Sequence, residues 1–188
     1  SLYRFARLYH RSTHLEVVQA HIDFFHEISS VPESIFYDRM AAVYDSRKGQ
    51  FNDKFLEFSM HFGFHPCVCN PASPNEKGTD EESVGYVRRA TFSERSVFTS
   101  LEEATQWLKM RLAEINTHSV YRRSDVPVQG LDQERDLMHP LPTLEYENYE
   151  LKRATISRYS LVKYDVNYYS IPDTYRPRYI TLKILVDR

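Results

Sequence analysis

Two acidic positions in this chain stand where carboxylates could do metal chemistry. Asp38 closes the short apolar run "SIFYD" (34–38), and Glu81 sits between Asp80 and Glu82, just after a loop marked by Pro71, Pro74, Asn75 and Gly78. Open α/β sheets place their sites at the carboxyl ends of strands, which suits Asp38. A strand-end Asp and a helix Glu can converge on divalent ions, and paired cations held by carboxylates drive phosphodiester chemistry. Lys77, Arg88 and Arg89 lie close to Glu81 in sequence and are candidates for holding phosphates. On spacing alone a plainer role is stronger for the acids: carboxylates in a first helical turn complement the helix dipole. Solvated charges near a helix end are likewise the plain reading of Arg88 and Arg89. His65, Cys67 and Cys69 alternate along one face of a predicted strand. Neighbours on one short strand rarely close a tetrahedral site, so a buried strand is favoured there over zinc.

The elements that would position these residues follow from periodicity. "LYRFARLY" (2–9) reads as a strand. Leu15, Val18, Ile22, Phe25 and Ile28 recur at helical spacing over 13–29, and Thr13 with Glu16 forms a capping box. Residues 34–38 read as a buried strand. A second amphipathic helix spans 51–64, with Asn52 at its N-cap and Gly63 as its stop. A strand is predicted over 65–71, a helix from about residue 79 to 90, and another from the Ser100/Glu103 capping box to about residue 117. Alternating strands and helices imply α/β units with parallel pairing. Residues 154–188 read as β, with Ile180, Leu182, Ile184 and Val186 alternating onto one face of a small module such as a barrel.

The whole chain sets broad limits. Its 188 residues carry 24 basic and 26 acidic side chains, a formal charge of −2. Any nucleic-acid footprint must therefore be local. The 14 Tyr and 11 Phe argue against disorder. No apolar run approaches the roughly 20 residues of a membrane span, and no secretory signal is read at the start. Two cysteines at i and i+2 do not suggest a disulfide framework, so a reducing, cytoplasmic setting is expected.

Several motifs fall in one order along nearly the whole chain: "ARLYHR", "IFYDRMAAV", "FLEFSMHFGFHPCVCNP", "KGTDEESVGYVRR", "HPLP" and "YDVNYYSIP". Together they resemble the IstA-type transposases, the DDE recombinases of two-protein insertion sequences. The resemblance implies a catalytic core like ribonuclease H and retroviral integrase, Mg²⁺ or Mn²⁺ as cofactor, and DNA as substrate, both element ends and target. It also implies an AAA+ ATPase helper and a homo-oligomer at full length, with no membrane partner. Asp38, in "FYDRM", matches the family's apolar-apolar-Asp-Asn-Met motif. Glu81, 43 positions on, matches the catalytic Glu that follows Lys-Gly-x-x and precedes a Ser-Val-Gly-Tyr-Val-type helix. Asp38 and Glu81 are thus implied as catalytic metal ligands, with Lys77, Arg88 and Arg89 as DNA contacts and the loop 70–78 as the active-site loop.

The chain also departs from the pattern. Arg39 stands where the family usually has Asn, and Asp80 where an apolar residue is usual. The family's first catalytic Asp lies on a strand upstream of the one that 2–9 matches. The acids before Asp38 are Glu16, Asp23, Glu27 and Glu33, and Asp23 sits in a helical context. The expected organisation is therefore a partial ribonuclease-H-like α/β core over 1–120 with its first two strands missing. A linker over 121–153 and part of a C-terminal β-barrel-like module over 154–188 follow. The alternative function is a catalytically inactive transposase remnant that binds DNA or multimerises.

Overall fold

The first helix, α1 (His14–Ile28), begins where Thr13 adopts extended backbone and its N–H donates to the Glu16 carboxylate at 2.8 Å. It ends at Ser29 in the left-handed region. Strand β1 (Ser34–Tyr37) follows, then a small hairpin of β2 (Tyr44–Asp45) and β3 (Gln50–Phe51). Helix α2 (Asp53–Phe62) opens after Asn52 and stops at Gly63, whose φ of 78° suits a residue without a side chain. Strand β4 (His65–Val68) completes a parallel pair with β1, in register Ser34↔His65 to Tyr37↔Val68. The predicted parallel pairing through an intervening helix is therefore present. The computed structural model describes residues 1–69, 84–119, 126–175 and 177–186.

An aromatic core lies under this pair. Phe25 from α1, Phe51 from the hairpin, Phe55, Phe58 and Phe62 from α2, and Phe64 are buried together with Tyr37 and Val43. Many of the rings meet edge-on or tilted, as between Tyr37 and Phe55 at 5.1 Å, the arrangement their quadrupoles favour.

Residues 2–9 are a correction, because they form no strand. Alternate side chains of this segment nevertheless have partners. Tyr3 donates to Glu27 at 2.8 Å, the Phe5 ring packs on Phe24 at 5.4 Å, and Arg7 pairs with Asp23, so the odd positions lie along α1. The backbone of Arg4 instead meets a side chain. Asn116 accepts from the Arg4 N–H at 2.9 Å and donates to the Arg4 carbonyl at 2.8 Å. One amide thereby supplies both bonds that a neighbouring strand would make.

Helix α3, described over 84–92, and α4 (Leu101–Thr117) follow. The Ser100 hydroxyl accepts from the Glu103 N–H at 3.1 Å, as a capping box requires. The Glu103 carboxylate reaches back to Thr99, taking its N–H and its hydroxyl, each at 2.7 Å. Within the stretch read as a linker, Pro127–Arg135 form helix α5 with Pro at its start, and His139 bridges to Val31.

From Glu147 onward the chain forms a separate unit. Strands β5 (Tyr149–Thr155) and β8 (Tyr179–Leu185) pair antiparallel, as do β6 (Leu161–Tyr164) and β7 (Asn167–Ser170). A bridge between Ile156 and Val162 joins the two ribbons. Ile180, Leu182 and Ile184 do alternate onto the half-buried face of β8.

Candidate active site and nucleic-acid contacts

Asp38 follows directly on β1 and is exposed. The parallel pairing puts it at the carboxyl edge of both strands, where the Cys69 N–H donates to the Tyr37 carbonyl at 2.8 Å. Tyr37, one residue earlier, is held from within. The His21 ring takes its place among Phe25, Phe55, Phe58 and Phe64. Its Nδ1 donates to the Val17 carbonyl at 2.7 Å, which leaves Nε2 to accept from the Tyr37 hydroxyl at 2.9 Å. Burial holds the His21 pKa below its ordinary value, against the opposing pull of the Val17 carbonyl. Burial, and then the nearby Cys67, push the Tyr37 hydroxyl well up. Both groups are thus neutral, and the bond between them pins the end of β1 to α1.

Among the described residues the Asp38 carboxylate makes no hydrogen bond or ion pair, so its oxygens are available to a hard cation. Arg39 beside it turns toward the hairpin, 6.0 Å over the Tyr44 ring. Glu81 and Lys77, with the loop 70–78, lie outside the described residues, as do Asp80 and Glu82. The described residues contain no group of three His, Cys, Asp or Glu side chains that could hold a metal. Asp23, the upstream acid on α1, is engaged by Gln19 at 2.9 Å and by Arg7. His65 and Cys67 sit on β4 with their register partners on β1, and Phe36, across from Cys67, is 64% exposed on that outer face.

Helix α3 carries Arg88 and Arg89, both exposed and without an acidic partner among the described residues. Arg7, Arg95, Arg111 and Arg135, by contrast, all form ion pairs. The carboxyl end of α3 is tethered by α4. Trp107 donates its indole N–H to the Thr91 carbonyl at 2.7 Å, and Arg111 donates to the Ala90 carbonyl at 3.2 Å. At the other flank the Arg4 guanidinium lies 4.5 Å over the Tyr86 ring. Sequence reasoning missed Arg4, Trp107, Arg111 and Asn116. Their partners are backbone carbonyls and rings distant in sequence, so no local spacing marks them.

In the C-terminal unit basic side chains lie over tyrosine rings, and one of them, Lys183, also pairs with Glu147 at 2.7 Å. Arg153 stacks 3.8 Å over Tyr179, Lys183 4.3 Å over Tyr149, and Lys163 5.7 Å over Tyr168. Residues 147–187 hold seven basic and five acidic side chains, against an acidic excess in the first 146.

No model of a known protein family matches the chain. It is 29% identical over 188 residues to the transposase of insertion sequences IS1326/IS1353 from Pseudomonas aeruginosa, covering 97% of this chain and 37% of that protein. It is 30% identical over 169 residues to the IS232 transposase of Bacillus thuringiensis subsp. berliner, covering 85% and 38%. An IS21-like transposase of Bacteroides fragilis matches at 29% over 188 residues, covering 94% and 35%. The chain thus spans a little over a third of the length of these curated relatives. In fold it is similar to a chain from the structure of a simian T-cell lymphotropic virus intasome in complex with PP2A regulatory subunit B56 gamma. The TM-score is 0.51 at 14% identity, covering 95% of this chain and 66% of that one.

Proposed function

We propose that this chain, which is similar to insertion-sequence transposases over nearly its whole length and integrase-like in fold, is part of a DDE-type DNA transposase. The observation that carries the reading is the run of sequence likeness across 97% of the chain. The parallel β1–β4 pair, presenting Asp38 at its carboxyl edge, supports it. Asp38 and Glu81 are the metal ligands, and their hard oxygens suit Mg²⁺ or Mn²⁺. Divalent ions held by Asp38 and Glu81 would supply activation of the attacking oxygen and an offset to the charge on phosphate. The His21–Tyr37 bond holds Asp38 in place. Lys77, Arg88 and Arg89 grip phosphates of the element end or target, and the stacked cations of the C-terminal unit are a separate set of phosphate contacts.

In this reading 1–120 is the catalytic core, α5 follows within the same unit, and the β module begins at Glu147 rather than 154. The core is a ribonuclease-H-like sheet continued by upstream strands. The open edge of β1, which pairs with β4 alone among the described residues, supports this, as do residues 2–9 with their side-chain partner in place of a strand. An upstream strand brings the first Asp. The complete enzyme is an oligomer working with an AAA+ ATPase in the cytoplasm. No helix of the described residues is long and apolar enough to cross a membrane.

DNA binding tests this directly. The log of affinity for duplex DNA should fall linearly with log salt, and Arg88→Ala with Arg89→Ala should reduce the slope by up to about two. An unchanged slope removes both residues from the DNA path.

A further inference from the structure

Gly85 sits inside α3 with ordinary helical backbone, so its conformation does not call for glycine. A glycine there destabilises the helix relative to alanine. Something other than backbone geometry accounts for it, and the surroundings supply a candidate. A Cβ built on Gly85 would lie 3.1 Å from Nη1 of Arg89, 3.8 Å from its Cζ and 3.9 Å from Nη2. The guanidinium of Arg89 therefore folds back one turn and sets its Nη1 edge beside the place where a side chain at 85 would stand. Side chains on a helix tilt toward its N-terminus, so a long residue at i+4 naturally covers position i. In the sequence Glu81, Gly85 and Arg89 recur every four residues.

We infer that Gly85 is a positioning residue: its missing side chain forms the seat that holds the Arg89 guanidinium along α3, ready to bind a DNA phosphate. The inference rests on the proposed DNA-binding role of Arg89 and deepens it. A guanidinium seated by one edge against a helix keeps its planar fork in one orientation, which favours two-point contact with phosphate oxygens. An arginine free to swing loses more rotamer freedom on binding. Any side chain at 85 lifts the fork from its seat, by a few tenths of an ångström for alanine and entirely for leucine or glutamine.

The test is the salt dependence of duplex-DNA binding by the 188-residue chain and by four variants: Gly85→Leu, Gly85→Gln, Arg89→Ala and the Gly85→Leu/Arg89→Ala double. Arg89→Ala should lower the slope of log affinity against log salt by about 0.9. Gly85→Leu and Gly85→Gln should each reproduce most of that loss, while their thermal midpoints stay level or rise because both residues are better helix formers. The double variant should bind no worse than Arg89→Ala alone, since the seat is useless without its occupant. If Arg89→Ala lowers the slope and both Gly85 variants leave it intact, the positioning role is wrong and the DNA-binding reading stands. Losses that add in the double variant also refute the role. If Arg89→Ala leaves the slope untouched, the DNA-binding role of Arg89 fails and the inference with it.

Discussion

At the residue scale two side chains, His21 and Tyr37, fix the end of β1. His21 is neutral because ionising it would place a charge among phenylalanine rings. Its folded pKa lies below 6.5, so the unfolded chain binds the proton more readily. The stability this contributes is complete above 6.5 and is lost as pH falls below 6.5 toward the depressed value. Unfolding midpoints measured against pH should therefore drop faster for the native chain than for His21→Phe, by at most about 1.4 kcal/mol per pH unit. Equal pH profiles would mean that His21 takes up its proton as readily in the fold as in the unfolded chain. Tyr37→Phe should cost about 1–3 kcal/mol in denaturant unfolding, because it strands the imidazole Nε2. Tyr3, pushed up to about 12 by burial and by the Glu27 carboxylate, plays a similar anchoring part on α1.

At the scale of elements, the parts with local signals were legible in advance. α1 and α2 announced themselves by helical periodicity and a capping residue, and α4 by its capping box, and the start of each helix follows those signals. The β1–β4 pair was legible because a parallel crossover through a helix leaves an alternating pattern. Residues 2–9 were not, because a run rich in aromatics records side chains that pack on a neighbour and not whether the backbone has a strand to pair with. Asn116 takes that partner's place. The β2–β3 hairpin was missed although Gly49 adopts a φ of 69°, since two-residue strands are too short to alternate. α5 was read as linker, with Pro127 at its first turn the signal overlooked. At the candidate site, Asp38 was legible from its strand, and the tethers on α3 were not. Trp107→Phe should release the Thr91 carbonyl and cost about 1 kcal/mol, with faster amide exchange along 84–92 as the sign that α3 has loosened. Glu103 offers a pH test of the same region. Thr99 and then Arg95 hold its carboxyl down to about 2 from 4.5. The cap it forms is complete above 4.5 and lost as pH falls through about 2.

At the scale of the whole molecule the two units differ in how they are held. The first has its aromatic core; the second buries Val162 fully, and most of its strand positions are half-buried or exposed. A unit of this size with so little core is marginal by itself. Val162→Ala, at about 2 kcal/mol, should unfold the C-terminal strands while the melting of the first unit hardly moves. Hydrogen exchange resolved by segment would check this, and a uniform loss of protection across the chain would count against two independent units.

The central claim is that Asp38 and Glu81 serve a metal site that needs a third carboxylate from upstream. Two side-chain charges facing two divalent ions leave their repulsion poorly offset, so the 188-residue chain should bind Mg²⁺ weakly and as one ion. The measurement is metal-dependent joining of labelled element-end DNA to a target, run on this chain and on a protein extended upstream. The account predicts joining by the extended protein alone, abolished by Asp38→Asn or Glu81→Gln with DNA binding spared, and little changed by Glu82→Gln. Joining by the 188-residue chain, or joining that survives Glu81→Gln, would contradict it.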